Sequence, residues 1–135
     1  MSIFSGTKSC VFSGVKAQLF YNGKPVANAK VIRQWEWHKE NSDETITDEN
    51  GYFMLPEVYE SSASRLFPSE FVVGQQLSVS VNDEEIIFWS NSKRDPDVNA
   101  EFGGAAFTVK CELTEEERLV EDYGSLMVTK CHLEK

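Results

Sequence analysis

The chain has 135 residues, 41% of them hydrophobic and 12% aromatic, which excludes a disordered protein and predicts one domain over residues 1–135. The net charge of −9 disfavours contact with nucleic-acid phosphates, and no apolar run reaches the roughly 18 residues that cross a bilayer. Because residues 1–8 lack the apolar segment of a secretory signal, we expect a cytoplasmic protein.

Alternation of apolar and polar residues predicts two strands near the beginning of the chain. The first covers Val15–Tyr21, and Asn22 and Gly23 are typical of the turn that follows it. The second is expected over residues 29–37, with Arg33 on an otherwise apolar face. We expect Arg33 to lie at a sheet margin, with its stem packed and its guanidinium in solvent.

The next segment is polar and acid-rich, and we expect residues 38–44 to form a surface loop. The chain is predicted to return to the sheet at residues 45–47, to turn at residues 48–51 and to continue as a strand over Tyr52–Leu55. Gly51 can adopt the positive φ that closes such a turn, and Asp48 can hydrogen-bond the backbone within it.

In the second half, residues 61–69 are expected to form a short helical or irregular crossover. Residues 77–81 and 85–89 predict a hairpin, and residues 90–101 predict a long polar loop. A strand is predicted over residues 106–113. Its expected core face contains Phe107, Val109, Cys111 and Leu113.

Thr114 and Glu117 match the capping box that begins a helix, so one or two helical turns are expected through residue 123. A last strand is expected over residues 125–133. Seven or eight short strands separated by turns predict an all-β fold, an antiparallel β-sandwich. The expected core includes Leu19, Val31, Phe53, Val79, Phe107 and Val109.

The segments NGKPVANAKVIR, residues 22–33, and TDENGYFMLP, residues 47–56, resemble the signature of carboxypeptidase-regulatory-like or transthyretin-like (prealbumin-like) β-sandwich domains. In that family each segment is a turn that leads into a strand. The whole chain also resembles a small, uncharacterised bacterial family whose members carry GG and a later CELT, here residues 103–104 and 111–114. Small acidic proteins of this kind resemble immunity proteins, which neutralise toxins delivered between competing cells by type VI-like secretion.

Three cysteines, Cys10, Cys111 and Cys131, are far apart in the sequence, unlike the close pairs that supply a zinc site. A single disulfide would leave one cysteine unpaired and is disfavoured in a reducing compartment. We therefore expect buried free thiols, with one disulfide among the three as the alternative.

Groups suited to catalysis are few. His38 and His132 are accompanied by no nucleophile or metal motif, and the segment that begins at Asp48 lacks the later ligands of a calcium loop. We expect no catalytic residue, no metal and no cofactor. The tryptophans are expected mainly in the core, although Trp37 is also a candidate for an exposed aromatic rim.

Charge is distributed unevenly along the chain. Residues 1–35 contain five basic and no acidic residues, whereas residues 36–60 contain eight acidic residues and one basic residue. Clustered carboxylates on exposed loops steer a basic partner into contact, although they are also typical of a solvated face that keeps a protein soluble. The candidate partner-binding residues are Glu40, Asp43, Glu44, Asp48 and Glu49, with Trp37 as an aromatic anchor.

These observations favour a non-enzymatic protein-binding domain without a nucleic-acid or membrane partner. The leading hypothesis is an immunity protein that binds a cognate toxin through the toxin's basic surface. The alternative is a stand-alone carbohydrate- or protein-binding sandwich module with a structural or adaptor role.

Overall fold

A computed structural model of the chain describes residues 8–61 and 71–134, and these ranges consist mainly of β-strands. One short 3-10 turn, Ala100–Phe102, accompanies the strands. The strands in chain order are β1 Lys8–Phe12, β2 Val15–Tyr21, β3 Lys24–Pro25, β4 Lys30–Glu36, β5 Glu40–Ile46, β6 Tyr52–Leu55, β7 Val58–Ser61, β8 Val73–Val81, β9 Glu84–Lys93, β10 Phe107–Glu112, β11 Arg118–Val120, β12 Met127–Thr129 and β13 Cys131–Leu133.

The strands form two large sheets and one small one. The six-stranded sheet has the order β11-β12-β9-β8-β4-β5, and the five-stranded sheet has the order β13-β10-β2-β3 with β6 also paired to β2. Strands β1 and β7 pair with each other. All pairings are antiparallel except that of β2 with β10, which is parallel with Val15 opposite Phe107.

The two large sheets face each other across an aromatic core, so the predicted β-sandwich is confirmed. Trp89 of β9 and Phe107 of β10 have ring centroids 4.7 Å apart. Phe12 of β1 lies between the sheets, 6.5 Å from Trp35 and 6.3 Å from Phe107. All six residues expected in the core are buried: Leu19, Val31, Phe53, Val79, Phe107 and Val109.

The hairpin predicted between residues 77 and 89 is confirmed as β8 and β9. Its turn residues, Asn82 and Asp83, have φ values of 53° and 63°, the left-handed conformation that matches the twist of paired strands. Strand β9 continues to Lys93, so the expected polar loop begins later than predicted. Lys93 is buried, and its ammonium group donates to the carbonyl oxygens of Asp95 and Asp97.

Three sequence-based expectations about secondary structure are wrong. Residues 38–44 lie largely within β5, and polar residues on both faces of this strand hide its period in the sequence. Residues 118–120 form β11 in place of the expected helical turns, while the Glu112 carboxylate accepts hydrogen bonds from the Thr114 backbone N–H and hydroxyl. The expected last strand is divided between β12 and β13, which belong to different sheets.

The number of strands is also larger than expected. Because some predicted segments are divided, the described ranges contain thirteen strands instead of seven or eight. The crossover expected at residues 61–69 falls, apart from its first residue, outside these ranges. None of the described residues belongs to a helix long and apolar enough to span a membrane.

The expectation of three free thiols is wrong. Cys111 and Cys131 face each other in the register of β10 and β13, with Cα atoms 4.0 Å apart, and form a disulfide. Sequence spacing cannot show this pairing, because the register of two distant strands brings the cysteines together. Cys10 remains free and buried.

Candidate protein-binding edge

Strand β5 is the last strand of the six-stranded sheet and carries half of the predicted partner-binding residues, Glu40, Asp43 and Glu44. It pairs with β4 on one side, and no other described strand pairs with its second side. The side chains of Glu40, Ser42, Glu44 and Ile46 are exposed, and those between them are half-buried. An edge strand of this kind presents unpaired backbone groups to a partner.

Four of the predicted acids are exposed, and the three that do not hydrogen-bond the turn backbone are available along this edge. Glu40 and Glu44 lie on the outward face of β5, and Glu49 is exposed in the turn that follows. Glu44 makes a long ion pair with Lys30, at 3.9 Å, whereas Glu40 and Glu49 form no ion pair with the described residues. We call the exposed side chains of Glu40, Glu44 and Glu49, together with β5, the acidic edge.

Asp48 has a local structural role. Its Oδ1 accepts hydrogen bonds from the backbone N–H groups of Asn50 and Tyr52, at 2.8 and 2.9 Å, which confirms the predicted turn. Gly51 closes this turn with a φ of 84°, and a Cβ atom there would lie 2.5 Å from the Leu19 carbonyl oxygen. The turn therefore holds the acidic edge against the five-stranded sheet.

Asp43 is committed to the fold. Its carboxylate binds the guanidinium of Arg33, which is completely buried, in place of the solvent-exposed position expected for Arg33 at a sheet margin. Burial of this guanidinium is tolerable because the paired carboxylate and a backbone carbonyl accept hydrogen bonds from all three of its nitrogens. Asp43 therefore supports β5, and its charge is largely neutralised within the molecule.

Trp37 directly follows β4, in the connection that leads to β5, and is partly buried. Its ring stacks on His38, with centroids 4.5 Å apart, and meets Phe71 edge-on at 4.9 Å. The remaining exposed part is close in sequence to Glu40, so the structure brings the aromatic candidate to one end of the acidic edge. Part of the ring is already used in these internal contacts.

A buried polar cluster was missed by the sequence analysis, which assigned its central residue to a polar loop. Glu101 is 1% exposed and accepts hydrogen bonds from the Ser13 hydroxyl at 2.5 Å, the Ser13 N–H at 3.0 Å and the Gln75 amide at 2.9 Å. Nothing in the local sequence pattern marks this carboxylate as buried. Its partners link the 3-10 turn to β8 and to the connection between β1 and β2.

Cys10 lies beside this cluster. Burial raises the pKa of the Cys10 thiol, although the neighbouring Ser13 hydroxyl acts in the opposite direction. A raised pKa keeps the thiol protonated at neutral pH, and a protonated thiol is a poor nucleophile. The buried Cys10 thiol is therefore suited to packing.

The histidines are placed apart from this cluster. His132 Nε2 lies 3.0 Å from the exposed carboxylate of Glu115, while His38 stacks on Trp37. Among the residues described, no group of three or more His, Cys, Asp or Glu side chains is placed to hold a metal ion.

Comparison with known proteins gives one match. A family model described as a domain of unknown function, DUF6795, matches residues 15–116, and the chain belongs to this family. No carboxypeptidase-regulatory or transthyretin-like family is identified. Neither the curated proteins nor the solved structures contain a match.

Proposed function

We propose that this member of the DUF6795 family is a non-enzymatic protein-binding domain that engages a basic partner along the acidic edge. The observation that carries the proposal is the position of β5, an edge strand whose exposed side chains include Glu40 and Glu44. Glu49 extends the same negative surface into the following turn. Such a surface offers both backbone hydrogen-bonding groups and a directional field.

Charge on an edge strand also decides which partner can approach. Two copies of the acidic edge would repel each other, which protects the open strand from self-association. A basic strand or loop would instead be attracted and would gain backbone hydrogen bonds from β5. The acidic edge thus favours a different, basic protein over a second copy of this chain.

Within this proposal, the specific function is that of an immunity protein for a toxin delivered between bacterial cells. The support is the resemblance of small acidic proteins to that class, together with the basic surface expected on an enzyme that handles nucleic acids or another anionic substrate. The immunity protein would act in the cytoplasm, where such a toxin reaches its target.

The first test is co-expression with the product of the adjacent gene, followed by binding measurements at two salt concentrations. We expect a complex whose association slows as salt rises, because screening weakens the field of exposed charges. We also expect the bound toxin to lose its activity. If the two proteins do not associate, or if binding leaves toxin activity intact, the immunity role is wrong.

A charge-reversal pair locates the interface. Glu44→Lys with Glu49→Lys should reduce the association rate, since both carboxylates are exposed on the acidic edge. Glu116→Lys with Glu117→Lys changes the net charge equally at exposed positions in the turn before β11 and serves as the matched control. Equal effects of the two pairs would show that only total charge matters. Asp43 is unsuitable here because its loss would also disturb Arg33.

The role of Trp37 as an aromatic anchor is tested separately. Trp37→Ala should raise the dissociation rate and weaken binding by about 2 kcal/mol if the ring fills a pocket on the partner. Unfolding of the free variant must be measured in parallel, since the ring also packs on Phe71. An unchanged dissociation rate would remove Trp37 from the interface without affecting the role of the carboxylates.

A further inference from the structure

A depression of about 250 Å³ lies on the outward face of the six-stranded sheet, next to the acidic edge. Gly74 of β8 lies in it, and a Cβ atom there would have no neighbour closer than 4.0 Å. Gly74 also has no positive φ that would require glycine. Neither crowding nor backbone conformation explains this residue. A glycine inside a strand marks a bulge, a tight bend, or a close approach by a ligand or another backbone, and the bulge in the pairing of β8 with β9 lies elsewhere, between Leu77 and Ser78.

The walls of the depression are polar. The Gln76 amide donates to Gln34 Oε1 at 2.8 Å on one side, and Glu36 lies beside Gly74 in the register of β4 and β8. Glu40 lies directly opposite Glu36 across β4 and β5. Two like charges facing each other across strands destabilise a sheet, and no cation of the described residues pairs with either carboxylate.

We propose that this depression receives an arginine side chain of the basic partner, an inference that rests on the proposed function. A guanidinium would neutralise the facing carboxylates of Glu36 and Glu40 and has enough planar donors to reach the amide oxygens of Gln34 and Gln76 as well. Gly74 leaves room for the arginine stem. The arginine would thus anchor the partner beside β5.

Other ligand classes fit less well. A saccharide would bring no positive charge to the two carboxylates, and the nearest tryptophan, Trp35, lies on the buried face of β4, where it cannot stack on a sugar. A metal ion usually needs three or more protein ligands, and the two facing carboxylates do not belong to such a group among the described residues.

The site is tested without the partner by NMR titration of the labelled protein with N-acetyl-arginine amide at constant ionic strength. We expect saturable shifts of the backbone signals of Gly74, Gln76 and Glu36. N-acetyl-citrulline amide, which has the same shape without the charge, should produce no saturable shift. The proposal is overturned if arginine amide leaves these signals unchanged or if citrulline amide shifts them equally.

A steric variant separates this inference from the proposed function. Gly74→Val should block the arginine response while preserving the fold, because valine suits an extended strand. Ser80→Val, on the exposed face of the same strand, is the control and should leave the response intact. If Gly74→Val binds arginine amide as well as the unmodified protein, the site is wrong. Loss of partner binding in the Glu44 and Glu49 variant but not in Gly74→Val would preserve the acidic edge and reject the arginine pocket.

Discussion

Arg33 and Asp43 join β4 to β5 through two parallel hydrogen bonds, from Nε to Oδ1 at 2.9 Å and from Nη2 to Oδ2 at 2.6 Å. The register places the two residues directly opposite each other. Nη1 of Arg33 donates to the Pro56 carbonyl at 2.7 Å, and the guanidinium lies over the ring of Phe12. One buried cation therefore holds the acidic edge, the segment after β6 and the core together.

Asp43→Ala should destabilise the protein by about 2 to 3 kcal/mol, because it leaves the buried Arg33 charge without its carboxylate. The loss is expected to fall below that of a fully buried pair, since the Asp43 side chain is 37% exposed and water can replace part of it. Urea unfolding measures the change.

Glu44→Ala is the matched control for Asp43→Ala on the same strand. Its ion pair with Lys30 is 3.9 Å long and exposed on both sides, so the expected cost is below about 0.5 kcal/mol. Similar losses in the two variants would show that the Arg33 pair contributes no more than a surface ion pair.

The disulfide supports a second prediction. Reduction, or Cys111→Ser with Cys131→Ser, should lower stability by about 3 kcal/mol, as expected for closing a loop of this length in the unfolded chain. Cys10→Ser is the control for thiol loss without loss of the cross-link. Reductant should lower the melting temperature of the wild type and leave that of the double variant unchanged.

Alkylation followed by mass spectrometry checks the pairing directly. Unfolding without reductant should expose one reactive thiol, that of Cys10, and reduction should expose all three. Alkylation in intact cells tests where the protein resides. Because cytoplasmic reductants keep most thiols reduced, three alkylated cysteines in intact cells would indicate the cytoplasm. Three reactive thiols in the purified, unreduced protein would contradict the disulfide.

Local sequence patterns predicted those parts of the fold that depend on neighbouring residues. Alternation along Val15–Tyr21 and around Phe107 indicated strands with one buried face, and both are present. Asp48 and Gly51 indicated a turn because their side-chain chemistry and φ requirement are local properties. The acidic residues of the candidate edge were identified for the same reason, since a charge cluster is visible in the sequence.

Features that depend on distant partners were not predictable. Arg33 could be expected in the interior only with knowledge that Asp43 lies opposite it across β4 and β5. Likewise, Glu101 is buried because donors from β8 and the β1–β2 connection converge on it. Gly74 became informative only when its register with Glu36 showed an open space beside two facing carboxylates.

The third prediction concerns pH and Glu112. Partial desolvation acts to raise the pKa of Glu112, but hydrogen bonds from Thr114, Gly23 and Asn22 outweigh it and hold the pKa below its usual value of 4.5. The ionised carboxylate therefore stabilises the fold above pH 4.5, and this stabilisation is lost as the pH falls through the lowered value.

Glu112→Gln should lower the melting temperature at pH 7, because the amide is a weaker acceptor for the N–H groups of Asn22 and Gly23. The difference from the wild type should shrink in acid, where the wild-type carboxylate is also neutral. Glu116→Gln, an exposed neighbour, is the control and should leave the melting temperature unchanged. A pH-independent difference for Glu112→Gln would contradict the electrostatic explanation.

The last prediction separates two costs at the turn that follows the acidic edge. Gly51→Ala should destabilise the protein by about 3 kcal/mol or more, because alanine is strained at a φ of 84° and its Cβ would meet the Leu19 carbonyl oxygen at 2.5 Å. Gly23→Ala has a similar φ of 79° with no atom within 4 Å, so only the backbone strain of about 1 kcal/mol is expected. The difference in urea-unfolding free energy between the two variants measures the steric clash alone. The Leu19 N–H also donates a hydrogen bond to the Gly51 carbonyl. Displacement of this turn should therefore weaken the contact between β2 and the acidic edge. Equal losses in the two variants would mean that the backbone moves away from Leu19 at little cost.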